Sequence, residues 1–226
     1  MDEVVTAVAS GFKKLGLEKG DKVGIFAKNC PEWSLTDYAC AVQSLVSVPV
    51  YDSYQPAECK YIMIHSDMKA IVLTVDKVQF VGEILKSGEA PELRFIIMID
   101  DLFHPAAPRP ENVSYKFSEL IELGKQNIVP DVLPQPDDLY TIVYTSGTTG
   151  TPKGAMITHK NAATGAILLM TRSTPPPPGQ QGIYTYFFYF SLYFFDFLLI
   201  LSFFPFLFSR LSSLVSPTRP HLRTYS

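Results

Sequence analysis

The alternation of short apolar runs with stretches of helical periodicity is the feature that most constrains how this chain folds. Each apolar run is five or six residues long, the length of a buried strand. These runs occupy residues 22–27, 46–50, 70–75 and 94–99. Helical patterns occupy residues 3–15, 31–45, 56–65 and 77–86. Nearly continuous apolar strands separated by helices are typical of a parallel sheet with helices on both faces, so the predicted fold class is α/β.

A fifth apolar run, residues 139–144, leads directly into the segment TSGTTGTPKG at residues 145–154. In open parallel sheets, ligands bind beyond the carboxyl ends of the strands, so a loop in this position is a candidate site. Glycines 147, 150 and 154 allow positive φ and a close approach of the backbone, while the hydroxyl side chains add hydrogen-bond donors. The segment therefore predicts a cradle for phosphate oxygens. The candidate binding residues are Thr145, Ser146, Gly147, Thr148, Thr149, Gly150 and Lys153.

Lys153 places a positive charge at the edge of this loop, and Pro152 before it fixes the local backbone and removes a competing donor. The loop is not a Walker A sequence, because that pattern requires GxxxxGK followed by Ser or Thr. Here the lysine follows proline and precedes Gly154. The sequence thus indicates a nucleotide-binding class other than the P-loop NTPases.

The string IVYTSGTTGTPK, residues 142–153, resembles the signature loop of the AMP-forming adenylating enzymes. Two upstream stretches, residues 16–33 and 47–67, are similar to the corresponding parts of eukaryotic long-chain fatty acyl-CoA synthetases. The resemblance covers residues 1–171 and implies part of the N-terminal domain of the adenylate-forming fold, with a mostly parallel sheet and flanking helices.

What the resemblance implies chemically is a two-step ligation. A fatty acid carboxylate attacks the α-phosphate of ATP, with Mg²⁺, to give acyl-adenylate and pyrophosphate, and coenzyme A then displaces AMP. ATP with Mg²⁺ and coenzyme A are the implied co-substrates, and fatty acid and ATP are the implied small-molecule partners. The implied location is the cytoplasmic face of the endoplasmic reticulum or peroxisome membrane. No catalytic residue and no metal ligand is predicted within this chain.

Charge and cysteine content exclude some classes of function. Up to residue 171 the chain has 15 Lys and Arg against 21 Asp and Glu. This acidic balance argues against nucleic-acid binding, which needs a clustered basic surface. The cysteines, Cys30, Cys40 and Cys59, have neither CxxC nor metal-site spacing. They are interpreted as reduced thiols.

Several polar residues allow both a functional and a structural interpretation. His159 could be a catalytic histidine beside the nucleotide. A structural interpretation of this stretch is preferred, in which Thr158 is the N-cap of a following helix. His65 and His104 are interpreted as solvent or loop histidines. The acidic pairs at residues 100–101 and 137–138 are interpreted as solvated turns rather than metal ligands.

The composition changes near residue 171, which divides the chain into a predicted adenylation part, 1–171, and a predicted linker and apolar tail, 172–226. Residues 183–208 contain 14 Phe and Tyr and one charge, Asp196. This stretch exceeds the roughly 20 apolar residues that span a bilayer core. Membrane association is one interpretation, and translated non-coding sequence is the other. The arginines after the run favour a cytosolic C-terminus, which would put the N-terminal α/β part on the wrong side of a single span.

Strings that bind adenine, ribose and magnesium in the family, and the family's C-terminal catalytic lysine, do not occur in this sequence. Two hypotheses follow. The first is a long-chain fatty acid–CoA ligase, of which this chain is expected to be a truncated and inactive part. The second is a non-catalytic truncated product or membrane-associated fragment with at most weak phosphate binding.

Overall fold

The computed structural model of this chain describes residues 2–100, 109–145 and 151–172. Within these residues the chain forms six α-helices and seven β-strands. The helices are α1 Asp2–Lys14, α2 Pro31–Val42, α3 Pro56–His65, α4 Val78–Ser87, α5 Phe117–Lys125 and α6 His159–Arg172. The strands are β1 Lys22–Phe26, β2 Val46–Pro49, β3 Met68–Leu73, β4 Phe95–Met98, β5 Tyr115–Lys116, β6 Leu139–Thr145 and β7 Lys153–Thr158.

The seven strands form one sheet in the order β5, β4, β3, β1, β2, β6, β7. All neighbouring strands run parallel except β6 and β7, which form an antiparallel hairpin at one edge. The short apolar strands and the helices between them therefore make the mostly parallel α/β sheet that the sequence predicts.

Apolar side chains of the strands alternate between two cores, one on each face of the sheet. On one face, Met68, Ile71 and Leu73 of β3 pack in the core that includes residues of α3 and α4. On the other face, Ala70 and Val72 of the same strand pack in the core that includes residues of α1, α2 and α5. Helices thus cover both faces, which explains why the strands are apolar along their whole length.

The predicted elements agree with the structure to within a few residues, and Gly16 ends the first helical segment with a φ of 86°. Three elements were missed. The strand β5 has only two residues, α5 lies in a segment to which no element was assigned, and β7 was assigned partly to the phosphate loop. The strand β7 is mostly exposed, with a large exposed Met156, so it lacks the buried apolar run that identified the other strands.

Close packing of two helices on one face depends on glycine. A Cβ at Gly124 of α5 would lie 1.7 Å from the carbonyl oxygen of Ala7 in α1, and one at Gly11 would lie 2.6 Å from the carbonyl oxygen of Leu120. Contacts at these distances involve backbone atoms, which cannot move aside without displacing a helix. The two glycines therefore set the distance between α1 and α5.

We expect Gly124→Ala to destabilise the protein and Gly165→Ala to leave it equally or more stable. A Cβ at Gly165 in α6 meets no atom within 4 Å, so the substitution should gain up to about 1 kcal/mol of helix propensity. Overpacking at Gly124 should lower the unfolding free energy by about 1–3 kcal/mol or more. Urea denaturation of the two variants and wild type measures both; an unchanged midpoint for Gly124→Ala would contradict the packing described here.

All three cysteines are free, with Cys40 and Cys59 buried and Cys30 half-buried, as the sequence indicates. Within the described ranges, the helices are all too short or too polar to cross a membrane. The apolar stretch 183–208 lies outside the described residues, and the domain boundary at residue 171 stays a prediction.

Candidate phosphate-binding site

The β6–β7 hairpin brings together two of the residues that the sequence assigns to phosphate binding. Thr145 ends β6 and Lys153 begins β7, and their Cα atoms are partners in the antiparallel register. Both residues are exposed. Because β6 runs parallel to β2, its end lies at the carboxyl edge of the sheet, where ligands bind in folds of this class. The remaining predicted residues, Ser146, Gly147, Thr148, Thr149 and Gly150, lie outside the described residues.

Strand β6 is attached to the centre of the sheet through β2. Thr141 is the register partner of Ser47, and its Oγ1 donates a hydrogen bond of 2.9 Å to the carbonyl oxygen of Ser47. Both residues are buried, so this side-chain bond is shielded from water. The strand that leads into the candidate site is thereby fixed to the protein core.

Tyr144, one residue before Thr145, is the largest buried side chain of the hairpin. It is 2% exposed. Its carbonyl oxygen accepts a hydrogen bond of 2.5 Å from the hydroxyl of Tyr54, and its own hydroxyl lies 2.8 Å from Nδ1 of His65 at the end of α3. Burial is the main cause that raises the pKa of Tyr144 to about 12, and that of Tyr54 to about 12. Both side chains therefore remain neutral hydroxyls near neutral pH.

Gly154 faces this tyrosine across the hairpin. The two residues are register partners, and a Cβ at Gly154 would lie 2.9 Å from Cγ2 of Ile142 and 3.2 Å from Cζ of Tyr144. The sequence suggested positive φ as a use for this glycine. That interpretation is wrong for Gly154, which lies within β7 and is not among the described glycines with positive φ. The absence of a side chain instead lets the ring of Tyr144 lie against the strand, and the approach of the backbone to an anion stays a prediction.

Tyr140, earlier in β6, connects the hairpin to α2. Its hydroxyl donates a hydrogen bond to the carboxyl group of Asp37, which is 3% exposed. Burial raises the pKa of Asp37, although the bond from Tyr140 acts in the opposite direction. The pKa of Tyr140 is also raised, first by burial and then by the nearby Asp37. A carboxyl group is thus held between a helix and the strand that supports the site.

We expect Asp37→Asn to gain stability relative to wild type as the pH rises from the unfolded to the folded pKa of Asp37, and to keep that margin at higher pH. Because burial raises the folded-state pKa of Asp37 above its ordinary value, the wild-type unfolding free energy falls as the pH rises through the interval between the unfolded and folded pKa values. The asparagine oxygen can still accept the bond from Tyr140 without burying a charge. Chemical denaturation across this pH range measures the difference.

Asp137→Asn is the matched control for this comparison, because Asp137 is exposed in the turn before β6. Its unfolding free energy should follow the wild-type pH profile. A profile of Asp37→Asn parallel to wild type at every pH would contradict the raised pKa of Asp37.

The N-cap interpretation of Thr158 is confirmed. Its Oγ1 accepts a hydrogen bond of 3.2 Å from the backbone N–H of Asn161, in the first turn of α6. His159 packs its ring against Tyr140 with centroids 5.2 Å apart, and burial lowers its pKa. The structure therefore gives His159 a packing contact with the strand that supports the site.

The other polar residues of the sequence analysis divide into three outcomes. Asp138 lies in a turn, accepts a hydrogen bond from the backbone of Gln135 and pairs with Lys19 at 2.6 Å, as a solvated turn residue would. His65 is exposed as predicted, but the bond to Tyr144 shows that it is more than a solvent histidine. His104 and Asp101 lie outside the described residues. In the described ranges, no three His, Cys, Asp or Glu side chains come together in a way that could hold a metal ion.

A sequence model of the family described as AMP-binding enzyme matches residues 1–225 of this chain. The chain belongs to this family. Among curated relatives, it is 38% identical over 158 residues to long chain acyl-CoA synthetase 7, peroxisomal, of Arabidopsis thaliana, which covers 69% of the chain and 22% of that protein. It is 39% identical over 145 residues to long-chain-fatty-acid–CoA ligase 6 of Homo sapiens, covering 62% of the chain and 20% of that protein.

Solved structures of adenylate-forming ligases have the same fold. An anthranilate CoA ligase in complex with anthranoyl-AMP matches 74% of the chain with a TM-score of 0.64 and 23% identity, and the match covers 30% of that protein. A long-chain-fatty-acid-CoA ligase from Archaeoglobus fulgidus matches 74% of the chain with a TM-score of 0.60 and 26% identity, again over 30% of its length. This member of the AMP-binding enzyme family thus spans about a fifth of the curated relatives it matches.

The signature string of the family is recognisable from sequence, but the residues that contact it are not. Tyr144 lies inside the recognised string, two residues after Ile142. It was predicted only as a strand residue, with no role in the site. The contacts of Tyr54 and His65 join residues 90 and 79 positions apart in sequence, which no local pattern indicates.

Proposed function

We propose that this chain provides the pyrophosphate-binding hairpin of a long-chain fatty acid–CoA ligase. The observation that carries the proposal is the pairing of Thr145 with Lys153 at the carboxyl edge of the sheet. The similarity to long-chain acyl-CoA synthetases of plants and animals supports the choice of a fatty acid as the acid substrate. Nothing in the described residues favours the non-catalytic alternative.

In the proposed first step, a carboxylate oxygen of the fatty acid bonds to the α-phosphorus of ATP. The bond between the α-phosphorus and the bridging oxygen to the β-phosphorus breaks, and pyrophosphate leaves with the bonding electrons. In the second step the sulfur of coenzyme A bonds to the acyl carbon and loses its proton to solvent. The bond between that carbon and the phosphate oxygen breaks, and AMP leaves with the bonding electrons. The protein must hold the negative charge that develops on the departing pyrophosphate, a task of positioning and electrostatic stabilisation.

Lys153 and Thr145 are suited to that task. The ammonium group of Lys153 is exposed and supplies a full positive charge with three donors, and the hydroxyl of Thr145 supplies another donor on the adjacent strand. Their strands are paired in register, so the two backbones are held side by side and both side chains can reach the same anion. The hydroxyls and backbone N–H groups predicted at residues 146–150 would complete the cradle.

Coenzyme A and the acyl chain enter the proposal from the names of the relatives, and Mg²⁺ enters it from the family resemblance of the signature string. Among the described residues, no three His, Cys, Asp or Glu side chains form a group that could hold the ion. The hydroxyl and ammonium donors of the hairpin do fit the phosphates of ATP, which are acceptors.

Lys153→Ala and Thr148→Ala should each slow adenylate formation in the protein at its natural length. Each removes a donor to pyrophosphate, and a hydrogen bond to a charged group contributes about 1.5–3 kcal/mol, or roughly one to two decades in rate. Fatty-acid-dependent exchange of labelled pyrophosphate into ATP measures this step without coenzyme A.

Lys160→Ala is the matched control, because Lys160 is also exposed and lies at the start of α6 beyond the far end of β7. It should exchange pyrophosphate at the wild-type rate. Rates of Lys153→Ala and Thr148→Ala within twofold of wild type would overturn the assignment of this loop.

Membrane association through residues 183–208 is the second part of the proposal, and it rests on sequence alone. The apolar length of this segment supports it. We expect the chain expressed with membranes to stay in the pellet after an alkaline carbonate wash, and a variant lacking residues 183–208 to be released. Full release of the intact chain would refute insertion.

A further inference from the structure

We infer that His65 is a positioning residue for the phosphate-binding hairpin and that it acts through Tyr144. This inference rests on the proposed function, since it names a residue that positions the same site. It has no counterpart in the sequence motif, because His65 lies at the end of α3, 79 residues before Tyr144.

Tyr144 touches both strands of the hairpin. Its backbone lies in β6 directly before Thr145, while its ring lies against Gly154 in β7, directly after Lys153. With Ile142 also close to Gly154, there is no room for the ring to approach β7 further. A rotation of this ring toward β7 would therefore displace one strand relative to the other, and with it change the separation of Thr145 from Lys153.

Two hydrogen bonds fix Tyr144 from outside the hairpin. Tyr54 binds its carbonyl oxygen, and His65 binds its hydroxyl. The first fixes the backbone only. The second is made at the hydroxyl, the far end of the ring, where a small rotation of the ring gives the largest displacement. The hydrogen bond with His65 is therefore the contact that sets the ring orientation.

The imidazole of His65 is itself held in place although it is exposed. Its ring stacks on Tyr61 with centroids 5.0 Å apart and an interplanar angle of 26°, and it meets the ring of Tyr144 edge-on at 5.8 Å and 84°. Both His65 and Tyr61 belong to α3, which is anchored in the core by Ile62 and Met63. The chain of contacts thus runs from the core through α3 to the hairpin.

A positioning role makes a specific kinetic prediction. Loss of the hydrogen bond that orients the ring should raise the KM for pyrophosphate roughly twofold to tenfold in the exchange reaction. The KM for fatty acid should remain at its wild-type value. A role limited to stability would change the unfolding midpoint of His65 variants but would not separate the two KM values.

The experiment compares His65→Ala, His65→Asn, Tyr144→Phe and the double variant of His65→Ala with Tyr144→Phe. The asparagine side chain places a polar atom near the position of Nδ1, so His65→Asn should restore most of the wild-type KM for pyrophosphate. His65→Ala should have no added effect in the Tyr144→Phe background, because the bond is already absent. Tyr61→Phe is the control, since it keeps the stacked ring, and it should behave as wild type.

A second measurement separates failure of this inference from failure of the proposed function. Backbone amide hydrogen exchange of Thr145 and Gly154, measured without substrates, should be faster in His65→Ala and Tyr144→Phe than in wild type and His65→Asn. If wild type exchanges no pyrophosphate but these amides respond as stated, the proposed function fails and the positioning contact stands. Unchanged amide exchange in His65→Ala, or equal effects on both KM values, would overturn the inference.

Discussion

The attachment of β6 to β2 is the interaction on which the candidate site depends. Thr141 and Ser47 are register partners, and the Thr141 hydroxyl adds a buried bond of 2.9 Å to the Ser47 carbonyl oxygen. Since β2 lies between β1 and β6, this contact fixes the edge hairpin to the parallel sheet. Thr145 and Lys153 therefore extend from a rigid element instead of a free loop, which suits a site that stabilises charge by prearranged donors.

Polar side chains on the two faces of the sheet then orient the hairpin. Tyr140 reaches Asp37 in α2, and Tyr144 reaches His65 in α3. Burying polar groups is unfavourable unless they are hydrogen-bonded. A pair of apolar side chains would give similar stability, but it would lack the directional hydrogen bond. The two tyrosines connect helices on opposite faces to one strand and so restrict how that strand can rotate.

How far the sequence predicts this protein depends on how local each feature is. The strands β1 to β4 and the helices between them follow from apolar runs and from breakers such as Gly16, and the signature string identifies the loop without any structure. By contrast, β7 has no buried apolar run that would identify it as a strand, because its large apolar side chain, Met156, is exposed. The contact between His65 and Tyr144 is determined by tertiary packing, so residue type and spacing could not indicate it.

The most direct test of the central claim is a crystal structure of the protein soaked with pyrophosphate. The account predicts pyrophosphate at the mouth of the β6–β7 hairpin, with its oxygens within hydrogen-bond distance of Nζ of Lys153 and Oγ1 of Thr145, and with the Tyr144 hydroxyl still bonded to His65. Pyrophosphate bound elsewhere on the carboxyl edge of the sheet, with both Lys153 and Thr145 directed into solvent, would contradict it.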